Sequence, residues 1–320
     1  MATFGFASTA DEVLEGKDLS GRTVLVTGGY SGLGMETARA MAAKGAHAIL
    51  SGRDAGKLAV TSDEIAAATG ASIDTLVCDL ASLASVRAAA GEANERFAGI
   101  DLLINNAGVM APPLGRTADG FETQFGTNHL GHFLLTNLLM PLVEKGEHPR
   151  IVNLSSRGHH LDQVDFDDPN YRHREYEKWA GYGQSKTANI QFTVGLERRL
   201  ADRGIHAYAV HPGGIQTRLG RHMSEADIAW MMERMRKGAE QAGTPGQGFK
   251  TIPQGAATTC WAATAEELEG AGGIYCEDCH IATQDDDSPM GGVRSYAVDP
   301  ANAERLWTLS EALVGEKFAC

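Results

Sequence analysis

The sequence predicts an α/β fold, a doubly wound parallel sheet with helices on both faces. Three observations predict it. Short apolar, β-branched runs alternate with longer helix-patterned stretches along nearly all 320 residues. A glycine-rich turn joins the first run to the first helix, and no linker, low-complexity stretch or internal repeat divides the chain. Strands separated by helices imply βαβ units with right-handed crossovers, hence a mainly parallel sheet.

Each element follows in order. "TVLVTGG" is the first strand and "GLGMETARAMAAKG" the helix after it. "AHAILSGR" is the second strand, followed by a helix ending at Gly70, then "SIDTLVCDL" and a helix from Ala81 to about Phe97. After "IDLLINNAG" a long helix is expected from about Phe121 to Lys145, then the strand "RIVNLSS". A helix near Gly183 to Arg203 leads to "IHAYAVHPGG", and "QGAATTCWAATA" leads to a last strand in "GGIYCEDCHIA". One domain is expected over 1–320. It carries an N-terminal extension at 1–19, an insertion at 157–180, a lid at 218–250 and a C-terminal extension at 282–320. The insertion and the lid both follow strands, so both should border the ligand crevice at the strand C-termini.

Composition narrows the class. The chain is 43% hydrophobic and 22% charged, as expected of a globular protein with an ample core. A net charge of -13 argues against a nucleic-acid or anionic-membrane partner, which would require clustered Lys and Arg. No run is long and apolar enough to span a membrane. The five cysteines are scattered and odd in number, and the N-terminus lacks both a basic region and a long apolar stretch. A cytoplasmic, reduced protein is expected. A small molecule is the expected partner, with homodimer and homotetramer both open.

The first turn reads Gly28-Gly29-Tyr30-Ser31-Gly32-Leu33-Gly34. Glycines there permit positive φ and let backbone amides approach a pyrophosphate, while the helix N-terminus favours negative charge. The second strand ends in Ser51-Gly52-Arg53 rather than in an acidic residue. A carboxylate would bind the 2′-hydroxyl of NAD; a guanidinium suits the 2′-phosphate of NADP. NADP(H) is therefore favoured over NAD(H), with Asp54 close enough to compete for Arg53.

Tyr182 and Lys186 stand four residues apart, one turn along a helix face, after Ser155-Ser156 at a strand end. Lowering a tyrosine from about 10 to about 7, where it can exchange protons, takes about 4 kcal/mol of phenolate stabilisation, which a nearby cation can supply.

These residues resemble the classical short-chain dehydrogenase/reductase family, from about residue 18 to 280. The matching motifs are the glycine loop, Asp79 in "CDL", Asn105-Asn106-Ala107-Gly108, Asn128, Ser156, Tyr182, Lys186, Pro212-Gly213 and Thr217. Within the family, "STADEVLEGKDLSGRTVLVTGG", "TNHLGHFLLTNLL" and "YGQSKTANI" look like the retinol-dehydrogenase-like group, which includes the WW-domain oxidoreductase. The resemblance implies a Rossmann-like domain and NADP-dependent hydride transfer between an alcohol and a ketone or aldehyde. Tyr182 would exchange the proton, Ser156 polarise the carbonyl, and Lys186 lower the pKa of Tyr182 and hold the nicotinamide ribose. Asn128 would kink its helix and anchor a water. Asp79 would meet the adenine, Asn106 the adenosine ribose side, and Ile215 and Thr217 the nicotinamide carboxamide, with Leu80, Ala107, Gly108, Pro212 and Gly213 also among the cofactor-binding residues. A non-enzymatic NADP-binding sensor or scaffold, and a C=C reductase, share the fold and remain alternatives.

Three features stand outside these motifs. In the lid, Met223, Trp230, Met231, Met232 and Met235 suggest an apolar, bulky substrate. In the insertion, His159, His160, Asp162, Asp165, Asp167 and Asp168 are expected as solvated loop charge. Cys276-Glu277-Asp278-Cys279-His280 has the spacing of a haem attachment or half a zinc site. Strand alternation would send the two cysteines to opposite faces, so no metal is expected.

Overall fold

The apolar runs become strands because each can bury side chains on both faces. In the computed structural model, which describes residues 4–243 and 248–319, β1 spans Thr23–Thr27, β2 His47–Gly52, β3 Ile73–Val77 and β4 Leu102–Asn105. β5 spans Arg150–Leu154, β6 His206–His211, β7 Ile274–Glu277 and β8 His280–Ile281. Among the described residues they form one eight-stranded sheet in the order β3-β2-β1-β4-β5-β6-β7-β8. All neighbours are parallel except β7 and β8.

Alternation divides the core in two. Leu25, Ile49, Leu103 and Ile151 face the helices Leu83–Arg96, Gly131–Leu138, Lys178–Leu200 and Pro300–Val314. Val24, Val26, Leu50 and Ile104 face Gly32–Ala42, Ala55–Thr69 and Ile252–Thr264. Each fully buried Leu, Ile or Val contributes about 1.5–3 kcal/mol, so the two-sided pattern fixes strand register strongly. Asp54 and Ser82 cap their helices by accepting the Lys57 and Ser85 amides.

Three expectations need correction. The long helix expected from Phe121 to Lys145 is broken. It runs as a π-turn over Phe125–Leu130, an α-helix over Gly131–Leu138 and a short turn over Met140–Val143. Pro141 lacks the amide that would continue the helix, which explains the second break. The helix expected to start near Gly183 starts at Lys178, where Glu177 caps it through the Ala180 amide at 2.7 Å. Gly181 and Gly183 hide that first turn from propensity.

The last strand is a hairpin. β7 ends at Glu277, and Asp278 and Cys279, with φ of 45° and 57°, turn the chain into β8. Two consecutive positive φ values make a two-residue reversal, so alternation from Cys276 to Cys279 does not apply. Both thiols are buried, Cys279 accompanied by Thr258, whose hydroxyl accepts the Cys279 amide at 3.2 Å. Burial pushes the Cys279 thiol up to about 11 and raises Cys276 as well. Among the described residues no three His, Cys, Asp or Glu side chains are grouped to hold a metal. Cys320 and residues 244–247 of the lid lie outside the described residues.

Candidate active site

Strand order reverses between β1 and β4, which opens a crevice beyond their carboxyl ends. Gly28 (φ 68°) and Gly32 (φ 56°) take left-handed conformations in the turn after β1. A Cβ at Gly34 would lie 2.5 Å from Asn106 Nδ2 and 2.6 Å from the Gly28 carbonyl oxygen, so only glycine fits. Asn106 clamps the turn from β4, donating from Nδ2 to the Thr27 carbonyl at 2.7 Å. The Ala107 amide donates to Thr27 Oγ1 at 3.0 Å. Tyr30 lies over Gly52, where a Cβ would come within 2.4 Å of the ring. Ser31 precedes the helix without a side-chain cap, leaving that helix N-terminus open. Asp79 accepts the Ala81 amide at 3.0 Å, Leu80 is buried, and Arg53 is exposed beyond β2.

Two serines end β5 and differ in environment. Ser155 is buried and donates to the Lys186 carbonyl at 2.8 Å. Ser156 accepts the Gly158 amide at 2.9 Å and hydrogen-bonds the Tyr182 hydroxyl. Burial pushes Tyr182 up to about 12, and the Ser156 bond opposes the shift. Lys186 Nζ donates to the Leu154 carbonyl at 2.9 Å and lies 5.8 Å from the Tyr182 ring centroid. Burial lowers Lys186 to about 8.

Asn128, inside the π-turn, bridges Val109 in both senses. Its Oδ1 accepts the Val109 amide at 2.8 Å, and its Nδ2 donates to the Val109 carbonyl at 2.9 Å and to Ser185 Oγ at 2.9 Å. Its own carbonyl faces His132 Nδ1 at 2.9 Å.

One cavity of about 380 Å³ gathers much of this. Leu33, Asn106 and Gly108 line it from the nucleotide side, Ser156, Tyr182 and Lys186 from the floor, and Pro212, Gly213, Ile215 and Thr217 from the loop after β6. Met223, Ile228, Trp230, Met231 and Met235 cover it. Gly28, Tyr30, Ser31, Gly32, Gly34, Arg53, Asp79, Leu80, Ala107 and Asn128 are not in its wall. Met232, expected in the lid lining, is 50% exposed and outside the wall.

Sequence reasoning missed several lining residues. Arg157, His160 and Trp179 come from the insertion, Arg234 from the lid helix, and Pro289 and Met290 from the C-terminal extension. None belongs to a motif, so no local signal marked them. The insertion histidines also differ from expectation. His159 is fully buried, with Nδ1 at 2.8 Å from the Ser156 carbonyl, and His160 Nε2 lies 3.0 Å from the Gly292 carbonyl. Asp168 organises the loop by accepting the Arg172, His173 and Arg174 amides.

The doubly wound sheet, the glycine turn at its switch point and the hydroxyl pair on the cavity floor define a nucleotide-dependent α/β oxidoreductase. The family model for short chain dehydrogenases matches residues 22–227. The chain is 38% identical to retinol dehydrogenase 13 of Homo sapiens over 308 residues, covering 93% of this chain and 86% of that one. A crystal structure of an uncharacterised protein from Mycobacterium paratuberculosis is 34% identical, with a TM-score of 0.71 over 98% of this chain and 99% of that one. A short chain dehydrogenase from Burkholderia cenocepacia J2315, in complex with NADP, is 26% identical with a TM-score of 0.63, covering 82% of this chain and 98% of that one. The chain belongs to the classical short-chain dehydrogenase/reductase family, in its retinol-dehydrogenase-like group.

Proposed function

We propose that the protein transfers hydride reversibly between NADP(H) and an alcohol/carbonyl pair on an apolar, bulky ketone, aldehyde or secondary alcohol. The observation that carries this reading is the Ser156–Tyr182 hydroxyl pair on the floor of a cavity shared by the glycine turn and the Met-rich lid.

When bound, the dinucleotide supplies or accepts the hydride. Gly28, Tyr30, Ser31, Gly32, Leu33 and Gly34 would hold its pyrophosphate, since the turn's conformation and the open helix N-terminus suit an anion. Arg53 would take the 2′-phosphate, Asp79 and Leu80 the adenine, and Asn106, Ala107 and Gly108 the adenosine ribose side. Pro212, Gly213, Ile215 and Thr217 would take the nicotinamide end, and Lys186 the nicotinamide ribose. NADP in the Burkholderia relative supports the cofactor choice.

Tyr182 donates its proton to the substrate oxygen while Ser156 hydrogen-bonds the same oxygen. With a pKa of about 12, Tyr182 is protonated at neutral pH, as a donor in the reductive direction must be. Acting as a base near pH 7 requires additional phenolate stabilisation, for which Lys186 is the positioned cation. Asn128 holds the Val109 segment and the Ser185 end of the Tyr182 helix in register. A single cytoplasmic domain that assembles with copies of itself remains part of this reading.

A cofactor-coupled absorbance screen of carbonyls and secondary alcohols, with NADP(H) and NAD(H), tests it. Wild-type protein should turn over apolar substrates with NADP(H), and Tyr182→Phe should lose roughly 10²–10⁴-fold in kcat while still binding NADPH. A Tyr182→Phe variant with half the wild-type kcat on the same substrate would contradict the assignment.

A further inference from the structure

The cavity is apolar over most of its wall, yet two guanidinium groups, Arg157 and Arg234, reach it from separate elements. Neither forms a salt bridge among the described residues. The Arg157 guanidinium donates, among the described residues, only to Met290, at 3.3 Å to its carbonyl and 3.4 Å to Sδ. Arg234 has no hydrogen bond there, only the Trp230 ring at 5.9 Å.

The nearby carboxylates are engaged elsewhere. Glu277 accepts the Gly292 amide at 2.7 Å, and Asp278 holds Lys250 at 2.5 Å. Burial raises Glu277 and lowers Arg157, and the charges of Glu277 and Asp278 oppose the lowering of Arg157. The half-buried Arg157 guanidinium thus feels Glu277 and Asp278 but has no carboxylate oxygen within ion-pairing distance among the described residues. In a protein of net charge -13, a half-buried guanidinium with no ion-pair partner among the described residues, at the wall of a mainly apolar cavity, suits an anion from outside.

We propose that the substrate carries a carboxylate on its apolar body, away from the reacting carbon, and that Arg157 and Arg234 bind it. The class is then a long-chain or alicyclic oxo acid and its hydroxy-acid partner. This rests on the cavity being the substrate site. The Met, Trp and Ile side chains of the lid cover the body, and the guanidinium pair sets specificity by charge-assisted hydrogen bonds.

Binding can be read without turnover. Trp179 and Trp230 line the cavity and stack with ring centroids 4.9 Å apart, so their fluorescence reports occupancy. The probes are decanoate and 1-decanol, titrated into the NADPH-bound protein. Wild type should prefer decanoate by roughly 10-fold or more, the range of one hydrogen bond to a charged group. Arg157→Gln should abolish that preference. Arg234→Gln, on an exposed side chain with no hydrogen-bond or salt-bridge partner among the described residues, should reduce it by a few-fold, in keeping with about 1 kcal/mol or less for a solvated pair. Equal affinity for the two probes in wild type overturns the proposal, as does an undiminished preference in Arg234→Gln. Loss of turnover in the carbonyl screen with this preference intact would instead fault the catalytic reading alone.

Discussion

Asp54 accepts the backbone amide of Lys57 at 3.1 Å and holds its ammonium at 2.7 Å. The carboxylate beside Arg53 is therefore committed to capping the helix Ala55–Thr69. No ion pair to Arg53 occurs among the described residues, and its exposed guanidinium stands at the end of β2 with no competitor for a phosphate.

The proposed preference for NADP(H) is tested at Arg53. Hydrogen bonds to charged groups contribute about 1.5–3 kcal/mol, so Arg53→Ala should weaken NADPH by roughly 10- to 150-fold and leave NADH nearly unchanged. Isothermal titration of both cofactors reads this directly. Tighter binding of NADH than NADPH by wild type would refute it.

The contact between Gly34 and Asn106 gives a second expectation. Gly34→Ala forces a methyl group against Asn106 Nδ2 and the Gly28 carbonyl, both backed by β1 and β4. Overpacking of this kind costs about 1–3 kcal/mol. Thermal unfolding should shift downward and NADPH affinity should fall together. A variant with wild-type Tm and affinity would show that the turn opens freely.

Acid should destabilise the protein through its buried histidines. Burial lowers His129 and His159 to about 3 and His132 to about 4, from an ordinary value of 6.5. Between pH 6.5 and those values the unfolded chain binds more protons than the folded one, so stability falls as pH falls. Each histidine contributes about 1.4 kcal/mol per pH unit across that window. Glu122 and Glu277, raised by burial, act in the opposite sense and offset part of the loss. Calorimetry at pH 7.5, 6.0 and 5.0 should show a falling Tm, with a shallower slope in His129→Asn. A Tm that rises toward pH 5 would contradict the assignment.

The cysteines should prove structural. Cys276→Ser with Cys279→Ser should leave turnover and NADPH affinity near wild type, because neither thiol lines the cavity. Stability should drop by about 1–3 kcal/mol per site, from burying a hydroxyl in place of a thiol. Metal analysis should find no stoichiometric zinc or iron. Metal present in wild type and lost in the double variant would reverse this reading.

The sheet, its two-sided core and the turn after β1 were legible in the residues, because periodicity and glycine placement are local signals. Leu25 and Val26 point to opposite faces by alternation alone, and Gly28 and Gly32 announce the turn. Ser156, Tyr182 and Lys186 were legible as a spacing. The burial of Tyr182, which raises its pKa, was not: it comes from chain far away in sequence. The same holds for the cavity wall. Arg157, Arg234 and Met290 converge only because the insertion, the lid helix and the C-terminal extension fold over one strand edge. The turn at Asp278-Cys279 likewise reflects Lys250 and Thr258, contacts across the fold that alternation along a strand does not contain. Local pattern determined the elements and the order of the motifs; which side chains from distant segments line the cavity, and how deeply each is buried, only the packed chain decided, because burial is a property of long-range contacts.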